Sequence, residues 1–302
     1  MKPGSSRILN FFTSKAASVS DWILSFFVDL NPAQMHFSAE TLLKPNLREK
    51  VLVFVSYNSE GQFQGSRSVF FNYFISAGWT VLCVENGDTK INEYNYQNFH
   101  FIKRNNKGRD LGAYRDLADF LSDYSGVLLF LNSSIFWEMS EIEHIVYNCV
   151  ELADNGADVI GFTDSYQTGV RHLQSYFFFF SAGSVLRGAH QKAFSHVKNW
   201  RFKRAIVRYG EIPILNKLEK SGFNISVIQP YESLKKQFVA DSSIRNIYSV
   251  NDYKQIAKRL KVGISLNPTQ HFAPILWMNL KVLKASFVDS NPANLETRLP
   301  NK

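Results

Sequence analysis

Residues 104–134 read RNNKGRDLGAYRDLADFLSDYSGVLLFLNSS, and this stretch decides the fold class of the chain. It opens with a polar, glycine-bearing loop, and apolar residues then recur at helical spacing over 111–121. The continuous apolar run 127–131 is typical of a strand buried in a parallel sheet, and it ends in three small polar residues. A charged loop, a helix and a buried strand with a polar end predict half of a nucleotide-handling α/β site.

The same alternation of apolar runs and helical spacing continues on both sides of this stretch. Alternating strands and helices predict an α/β fold, Rossmann-type, in which a mostly parallel sheet is flanked by helices on both faces. Beyond residue 162 the pattern changes: 171–180 predicts one long strand, a helix ends near residue 222, and 272–287 predicts a C-terminal helix. The other predicted strands are 51–55, 79–84, 99–103, 159–162 and 223–228.

We divide the chain into three parts. Residues 1–45 form an amphipathic, helical N-terminal extension, which either lies in a membrane interface or packs on the main domain. Residues 46–235 form the sheet-containing domain, and 236–302 form a helical extension packed on its core. No apolar run is long enough for a transmembrane helix and no signal-peptide pattern is visible, so we expect a cytoplasmic protein, with peripheral contact to the inner face of the membrane left open.

The chain has 302 residues, a formal net charge of +8 and two cysteines. A basic balance favours anionic partners, namely nucleic acid, phosphorylated substrates or an anionic membrane surface. Lys and Arg are scattered and no nucleic-acid-reading motif is visible, which disfavours nucleic acid as a partner. Cys83 and Cys149 lie in apolar segments, which predicts buried thiols in a reducing compartment.

Small polar and acidic residues follow four of the predicted strands. Ligands of open α/β sheets bind beyond the carboxyl ends of the strands, so these residues are expected to converge on one cleft. The four ends are Ser56, Tyr57 and Asn58; Glu85 and Asn86; Asn132, Ser133 and Ser134; and Thr163, Asp164 and Ser165.

Several motifs, in this order, resemble the rhamnan synthesis F family of bacterial glycosyltransferases. The resemblance covers roughly residues 50 to 300 and implies a GT-A fold. It also implies transfer of a sugar, typically L-rhamnose, from a dTDP- or UDP-type nucleotide sugar to a cell-surface polysaccharide or lipid-linked glycan, with inversion. The motifs are NNKGRDLGAYRD at 105–116, LLFLNSS at 128–134, GFTDSY at 161–166, HLQSYFFFF at 172–180, RYGEIPILNKLEKSGF at 208–223 and NPTQH at 267–271.

The resemblance implies a donor pocket at the first two strand ends. Ser56, Tyr57 and Asn58 would hold the nucleotide, with Glu85 or Asn86 hydrogen-bonding the base or ribose. Capping of the loops is the alternative role of each residue.

The leaving diphosphate needs neutralisation, and GT-A enzymes often use an acidic D-x-D motif with Mg²⁺ or Mn²⁺. The equivalent position, 131–134, has Ser133 where the family commonly has an Asp. Either a metal binds weakly through Asp110, Asp164 or His172, or cationic side chains replace it, so the metal ligands stay unassigned. The cationic candidates are Lys107, Arg109 and Arg171, and a structural ion pair of Arg109 with Asp110 is the alternative.

An inverting transfer needs a base that deprotonates the acceptor hydroxyl. Glu211 is the first candidate, on the family resemblance, and a first-turn Glu favoured by the helix dipole is the alternative. Asp164 is the second. His172 and Gln174 alternate onto one face of their predicted strand and are acceptor- or sugar-binding candidates, with Tyr166 as a stacking platform.

Two other functional classes stay open. One is an inactive glycosyltransferase-like protein that serves in membrane-associated assembly, which the missing Asp at 133 and the amphipathic ends of the chain motivate. The other is a nucleic-acid-binding protein, which the positive charge motivates.

Overall fold

The computed structural model describes residues 33–37, 47, 49–57, 64–87, 98–167 and 169–284. The candidate Asn58 and most of the predicted N-terminal extension lie outside these residues. Within that extension, Met35–Phe37 forms a strand rather than part of a helix. The strand pairs antiparallel with an edge strand of the main sheet, which satisfies the backbone groups of that edge.

The strands are β1 Met35–Phe37, β2 Lys50–Ser56, β3 Thr80–Asn86, β4 Phe99–Arg104, β5 Val127–Asn132, β6 Ile135–Trp137, β7 Val159–Ser165, β8 His172–Leu173, β9 Phe177–Phe180, β10 Ile225–Gln229 and β11 Val282–Lys284. The α-helices are α1 Gln64–Ser76, α2 Arg109–Phe120, α3 Met139–Asp154, α4 Ala182–Leu186, α5 Ala189–Phe194, α6 Lys203–Ala205, α7 Ile212–Lys220, α8 Tyr231–Ala240, α9 Val250–Lys261, α10 Pro268–His271 and α11 Ala273–Leu280. A π-helical turn, Ile206–Glu211, joins α6 to α7, and a 3₁₀ turn, Ser242–Ile247, joins α8 to α9.

The main sheet has nine strands, and its spatial order is β1-β4-β3-β2-β5-β9-β7-β10, with β8 paired to β7. β4, β3, β2 and β5 are mutually parallel, and β10 is parallel to β7. β9 lies antiparallel between β5 and β7. The predicted α/β class with a mostly parallel sheet is therefore confirmed, and the topology fits the GT-A-like description.

Helices cover both faces of the sheet, as predicted. One apolar cluster joins the sheet to α1, α3, α8, α9 and α11, and the other joins it to α2, α5 and α7. The run Phe177–Phe180 shows how β9 serves both layers: Phe177 and Phe179 belong to the first cluster, whereas Phe178 and Phe180 belong to the second. All four side chains are at most 1% exposed, which explains a strand without polar alternation.

Two predicted elements differ from the structure. The long strand over 171–180 is interrupted after Leu173. The backbone N–H of Gln174 still donates to the carbonyl of Thr163 at 3.1 Å, and residues 175–176 then bulge away from β7 before β9 resumes the pairing. The C-terminal helix ends at Leu280, not at residue 287. Lys281 adopts a left-handed conformation there, and β11 then pairs with β6.

Described residues of the segment 236–302 are mainly helical, and α8 crosses the predicted limit at 235. The three-part division of the chain stays a prediction. In the described part of the chain, every helix is too short or too polar to traverse a bilayer.

Candidate functional site

The carboxyl ends of β2, β3 and β5 lie side by side at one edge of the sheet. Ser56 pairs with Glu85 in the β2–β3 register, and the backbone N–H of Ser133 donates to the carbonyl of Val55 at 3.0 Å. Ser56, Glu85 and Asn132 are buried here. The predicted convergence of these strand ends is therefore present in the fold.

Arg104, which sequence reasoning missed, organises the loop that opens the site. Its guanidinium is fully buried and pairs with Asp116 at 2.8 Å. It also donates to the side-chain oxygen of Asn86 at 3.0 Å and to the carbonyls of Asn105 and Lys107 at 3.0 and 2.7 Å. One side chain thus ties the ends of β3 and β4 to the loop and to α2.

Glycines let this loop approach Arg104 closely. A Cβ at Gly112 would collide with the carbonyl of Lys107 and lie 2.9 Å from Nη2 of Arg104. Gly108 and Arg109 both have positive φ, 70° and 54°, at the start of α2. The left-handed conformation costs a non-glycine residue energy and occurs most often at functional positions, so Arg109 is held in a special geometry.

Asp110 and Asn132 form a hydrogen-bonded pair beyond β5. Nδ2 of Asn132 donates to Oδ2 of Asp110 at 3.0 Å, and Oδ1 of Asn132 accepts from the backbone N–H of Ser134 at 3.0 Å and from its hydroxyl. Asn132 is therefore fixed in orientation by its neighbours. Burial raises the pKa of Asp110 to about 6, against the positive charge of Arg109.

Glu211 enters the site from a π-helical turn. The sequence predicted that Glu211 starts a helix, but helical residues begin at Lys203 and continue beyond Glu211. Glu211 therefore does not lie in the first turn of a helix, and a favourable interaction with a helix dipole there does not explain its position. A π turn inserts an extra residue into a helix and is common at functional sites.

The Glu211 carboxylate meets the bulge in the interrupted strand. Its Oε1 accepts from the backbone N–H of Ser175 at 2.8 Å. Burial raises the pKa of Glu211, and the charge of His172 and the hydrogen bonds from Ser175 act in the opposite direction. The bulge thus holds the carboxylate while its surroundings favour the protonated form more than water does.

The negative charge of Glu211 acts on Asp110, and both charges act on a shared neighbour, Tyr114. The charge of Glu211 raises the pKa of Asp110. Burial is the largest cause that raises the pKa of Tyr114, and the charges of Asp110 and Glu211 raise it further. Lys203, which is exposed, opposes the shift of both carboxyls. The cluster therefore combines two half-buried acids with two exposed cations, Arg109 and Lys203, and Lys203 was not predicted from the sequence.

Asp164, the second predicted base, is engaged by the protein itself. Its Oδ1 accepts from the backbone N–H of Tyr231 at 2.7 Å, and its Oδ2 pairs with Nε of Arg171 at 2.7 Å. These contacts anchor α8 on β7 and suit a structural role. Arg171, the predicted phosphate ligand, is committed to the same pair.

The predicted acceptor-side residues lie next to Glu211 and beyond it. His172 is 4% exposed, and its Nδ1 lies 2.9 Å from the carbonyl of Val170. Gln174 accepts from the hydroxyl of Thr163 at 2.7 Å and donates to Asn267 at 3.4 Å. Tyr166 is half-buried and packs against the ring of Tyr231, so it serves the core as well as the edge of the site.

The candidate residues on the donor side differ in their exposure to solvent. Tyr57 is 58% exposed, and its ring flanks the backbone of Gly87. Asn86 is buried, and among the described residues nothing accepts from its Nδ2. A cleft of about 370 Å³ lies nearby, lined by Gly87, Lys103, Asn105, Gln34 and His36.

The donor set beyond β5 suits a divalent cation poorly. It offers an amide and two hydroxyls, and the Asp110 carboxylate is already bonded to Asn132. Over the described ranges, no cluster of three or more His, Cys, Asp or Glu side chains could hold a metal ion. The role of Mg²⁺ or Mn²⁺ stays open at this point.

The chain has limited similarity to known proteins. No protein-family model matches it, so membership of the rhamnan synthesis F family stays a prediction. An uncharacterised protein of Sinorhizobium fredii, y4gN, is 27% identical over 190 residues, 60% of this chain and 49% of its own length. The chain therefore spans about half the length of that relative.

Two solved structures match this chain over part of its length. A glycosyltransferase involved in glycosylation of the major capsid of PBCV-1 matches with a TM-score of 0.36 and 8% identity, over 59% of this chain and 81% of its own. The glycosyltransferase GlyE of Streptococcus pneumoniae TIGR4 matches with a TM-score of 0.36 and 13% identity, over 78% of this chain and 54% of its own.

Proposed function

We propose that this chain is a glycosyltransferase that moves a sugar from a nucleoside diphosphate sugar to a glycan acceptor, with inversion. The observation that carries the proposal is the Glu211 carboxylate, which the backbone of Ser175 holds beside Asp110 and Asn132 at the carboxyl edge of the sheet. This is the edge where open α/β sheets bind ligands. From the motif resemblance, the donor is a dTDP- or UDP-type sugar such as L-rhamnose, and the acceptor is a cell-surface polysaccharide or its lipid-linked precursor.

The ends of β2 and β3 suit the nucleoside. An exposed tyrosine at the end of a parallel strand, Tyr57, gives a stacking surface for a planar base. Asn86 lies at the end of β3 with a buried amide N–H group for which no described residue provides an acceptor, and Arg104 fixes the orientation of that amide. Stacking on Tyr57 would bind a nucleoside of either the thymidine or the uridine type.

Cationic side chains suit the diphosphate better than a metal ion does here. Arg109 and Lys203 are exposed, and the positive charge of each acts on the Asp110 carboxyl. Arginine can contact phosphate oxygens through two N–H groups at once, and lysine adds a mobile point charge. We therefore assign charge neutralisation of the leaving group to these two residues.

Glu211 is the base of the proposed reaction. The pKa of Glu211 is raised, so it lies closer to neutral pH than the pKa of an ordinary carboxyl group, and this favours general-base catalysis. The carboxylate takes the proton of the acceptor hydroxyl while the acceptor oxygen bonds to the anomeric carbon. The bond from that carbon to the diphosphate oxygen breaks on the opposite face, and the nucleoside diphosphate leaves with the electron pair.

Thermal unfolding with a panel of nucleotide sugars, with and without Mg²⁺ or Mn²⁺, tests the donor assignment. A true donor at 100 times its dissociation constant adds about 2.7 kcal/mol to the free energy of unfolding. Binding followed by release of nucleoside diphosphate in the presence of acceptor supports the enzyme. Binding without turnover across acceptors would favour the inactive assembly protein, and absence of any nucleotide-sugar binding would refute the proposal.

A further inference from the structure

The positive charge of the chain is concentrated in its C-terminal helical segment. Residues 231–284 contain nine Lys and Arg against three Asp and Glu, a net charge of +6, whereas the whole chain carries +8. The sequence as a whole looks evenly basic, but the remainder of the chain is nearly balanced. The charge therefore points to an anionic partner of this segment and not of the whole surface.

Helix α9 turns a basic face to solvent. It buries Ile256 and half-buries Tyr253, Ala257 and Leu260, which share one side. The adjoining, solvent-facing side carries Lys254, Lys258 and Lys261, all exposed and spaced at i, i+4 and i+7. None of the three forms an ion pair with another residue that the structure describes.

Exposed aliphatic side chains accompany these lysines. Val250 and Val262, at the two ends of α9, are 69% and 65% exposed, and Ile264 just beyond is 47% exposed. We call Lys254, Lys258, Lys261, Val250, Val262 and Ile264 the α9 face. Lysines around exposed aliphatic groups are the composition of surfaces that lie in a membrane interface.

We propose that the α9 face docks the protein on an anionic lipid bilayer. The lysines meet the negative lipid headgroups, and the aliphatic side chains enter the headgroup boundary. Nucleic acid is the competing anionic partner, but single-stranded nucleic acid is bound through exposed aromatic platforms, and the exposed apolar side chains of this face are aliphatic. Aliphatic groups gain from burial in lipid and gain little from a phosphate backbone.

The α9 face is joined to the acceptor side of the candidate site. Residues 262–266 lead from α9 to Asn267, which accepts from Gln174 at 3.4 Å and donates to Gln167 at 3.2 Å. A bilayer held by this face would lie near the acceptor side, which suits a lipid-linked glycan. That last step rests on the proposed function, whereas docking itself does not.

Vesicle co-sedimentation of the full chain tests the docking. The expected result is binding to phosphatidylcholine vesicles that contain phosphatidylglycerol, weak binding to pure phosphatidylcholine, and loss of most binding at high salt. The triple variant Lys254→Gln, Lys258→Gln, Lys261→Gln should bind the anionic vesicles on the order of a hundredfold more weakly, because three basic contacts are removed. Val262→Ser with Ile264→Ser should remove the part of the binding that survives high salt.

A matched control variant carries Lys192→Gln, Lys198→Gln and Lys220→Gln. These lysines are also exposed, and α5 and α7 pack on the opposite face of the sheet from α9. The two triple variants lose the same net charge. A difference between them in vesicle binding therefore reports a local contact of the α9 face.

Three results would overturn the proposal. One is equal weakening by both triple variants, and another is wild-type binding by the α9 variant, which would move the contact to residues such as 1–32. The third is absence of vesicle binding together with an α9-dependent binding of oligonucleotides. Vesicle binding needs no turnover, so its failure is distinguishable from failure of the glycosyltransferase proposal.

Discussion

Glu211 and Ser175 are 36 residues apart in the chain and are joined by a hydrogen bond of 2.8 Å from a backbone N–H to a carboxylate oxygen. Each residue lies where its element departs from regular geometry, one in a π-helical turn and the other in a bulge between β8 and β9. The two irregularities satisfy each other, because the bulge frees an N–H and the π turn delivers the acceptor. A carboxylate held in this way is pre-oriented for proton transfer.

Glu211→Gln should abolish transfer while leaving donor binding nearly intact. The amide oxygen can still accept from Ser175, so the fold is preserved, but the side chain can no longer take a proton. General-base catalysis contributes about 10²- to 10⁴-fold, and turnover should fall by that factor. The measurement is kcat for nucleoside diphosphate release, together with the donor dissociation constant.

The matched control is Glu219→Gln on the same helical segment. Its carboxylate is exposed and lies 3.8 Å from Arg171, a surface pair of small energetic value. This variant should keep wild-type turnover. Near-normal turnover of Glu211→Gln would instead assign the base to another residue.

Arg109→Gln and Lys203→Gln should each weaken the binding of nucleoside diphosphates. A hydrogen bond to a charged group contributes about 1.5 to 3 kcal/mol, which corresponds to a loss of roughly tenfold to a hundredfold in affinity. Binding of the uncharged nucleoside should stay unchanged, because these cations face only the phosphates in the proposed complex. Isothermal titration with both ligands provides the measurement.

Removal of divalent cations completes the same test. With cationic side chains at the diphosphate, EDTA should leave donor binding and turnover unaltered. A requirement for Mg²⁺ or Mn²⁺, with normal donor affinity in both variants, would contradict the assignment of charge neutralisation to Arg109 and Lys203.

Arg104→Met should destabilise the fold by about 3 kcal/mol. Breaking a buried ion pair costs roughly 3 to 5 kcal/mol, and the lower end applies because Asp116 keeps Arg115 as a second partner at 2.5 Å. Arg187→Met is the control, since Arg187 is 51% exposed and pairs with Asp158 at the surface. Its effect on urea unfolding should stay within about 1 kcal/mol. Equal effects of the two changes would show that Arg104 does not organise the loop.

The strands and the common edge of the sheet follow from local apolar patterns, and so they were predictable from the sequence. Arg104 was not, because its burial depends on partners in β3, α2 and the loop, and an isolated Arg in a sequence is ordinarily exposed. Lys203 was not predictable either, because it belongs to a segment of basic and aromatic residues that contains no recognisable motif. The interruption at 174–176 was hidden because polar and aromatic residues there also suit a continuous strand.

Asp110 should make the free energy of unfolding fall with pH on the acid side of neutrality. Its folded-state pKa is raised from 3.8 to about 6, so the folded state binds the proton more tightly than the unfolded state does. Stability is therefore lost as pH rises through this window, by about 3 kcal/mol. In Asp110→Asn this contribution is absent, while the amide oxygen can still accept from Asn132.

The measurement is the difference in free energy of unfolding between wild type and Asp110→Asn at several pH values. Titrating groups that do not interact with Asp110, such as the buried His190, contribute to both proteins and cancel in the difference. The variant should gain stability relative to wild type as pH rises towards neutral, and a difference that is flat with pH would contradict the raised pKa.

Tyr57→Ala should weaken the binding of nucleotide sugars with little effect on stability. Stacking of a base on an aromatic ring contributes about 1 to 3 kcal/mol, so the donor dissociation constant should rise by roughly fivefold to more than a hundredfold. Tyr57→Phe keeps the ring and should bind nearly as well as wild type. Tyr147→Ala is the control, because Tyr147 is 60% exposed on α3, about as exposed as Tyr57. If Tyr57→Ala and Tyr147→Ala bind donor equally well, the nucleotide base does not stack on Tyr57, and the cleft beside Gly87 is the alternative binding place.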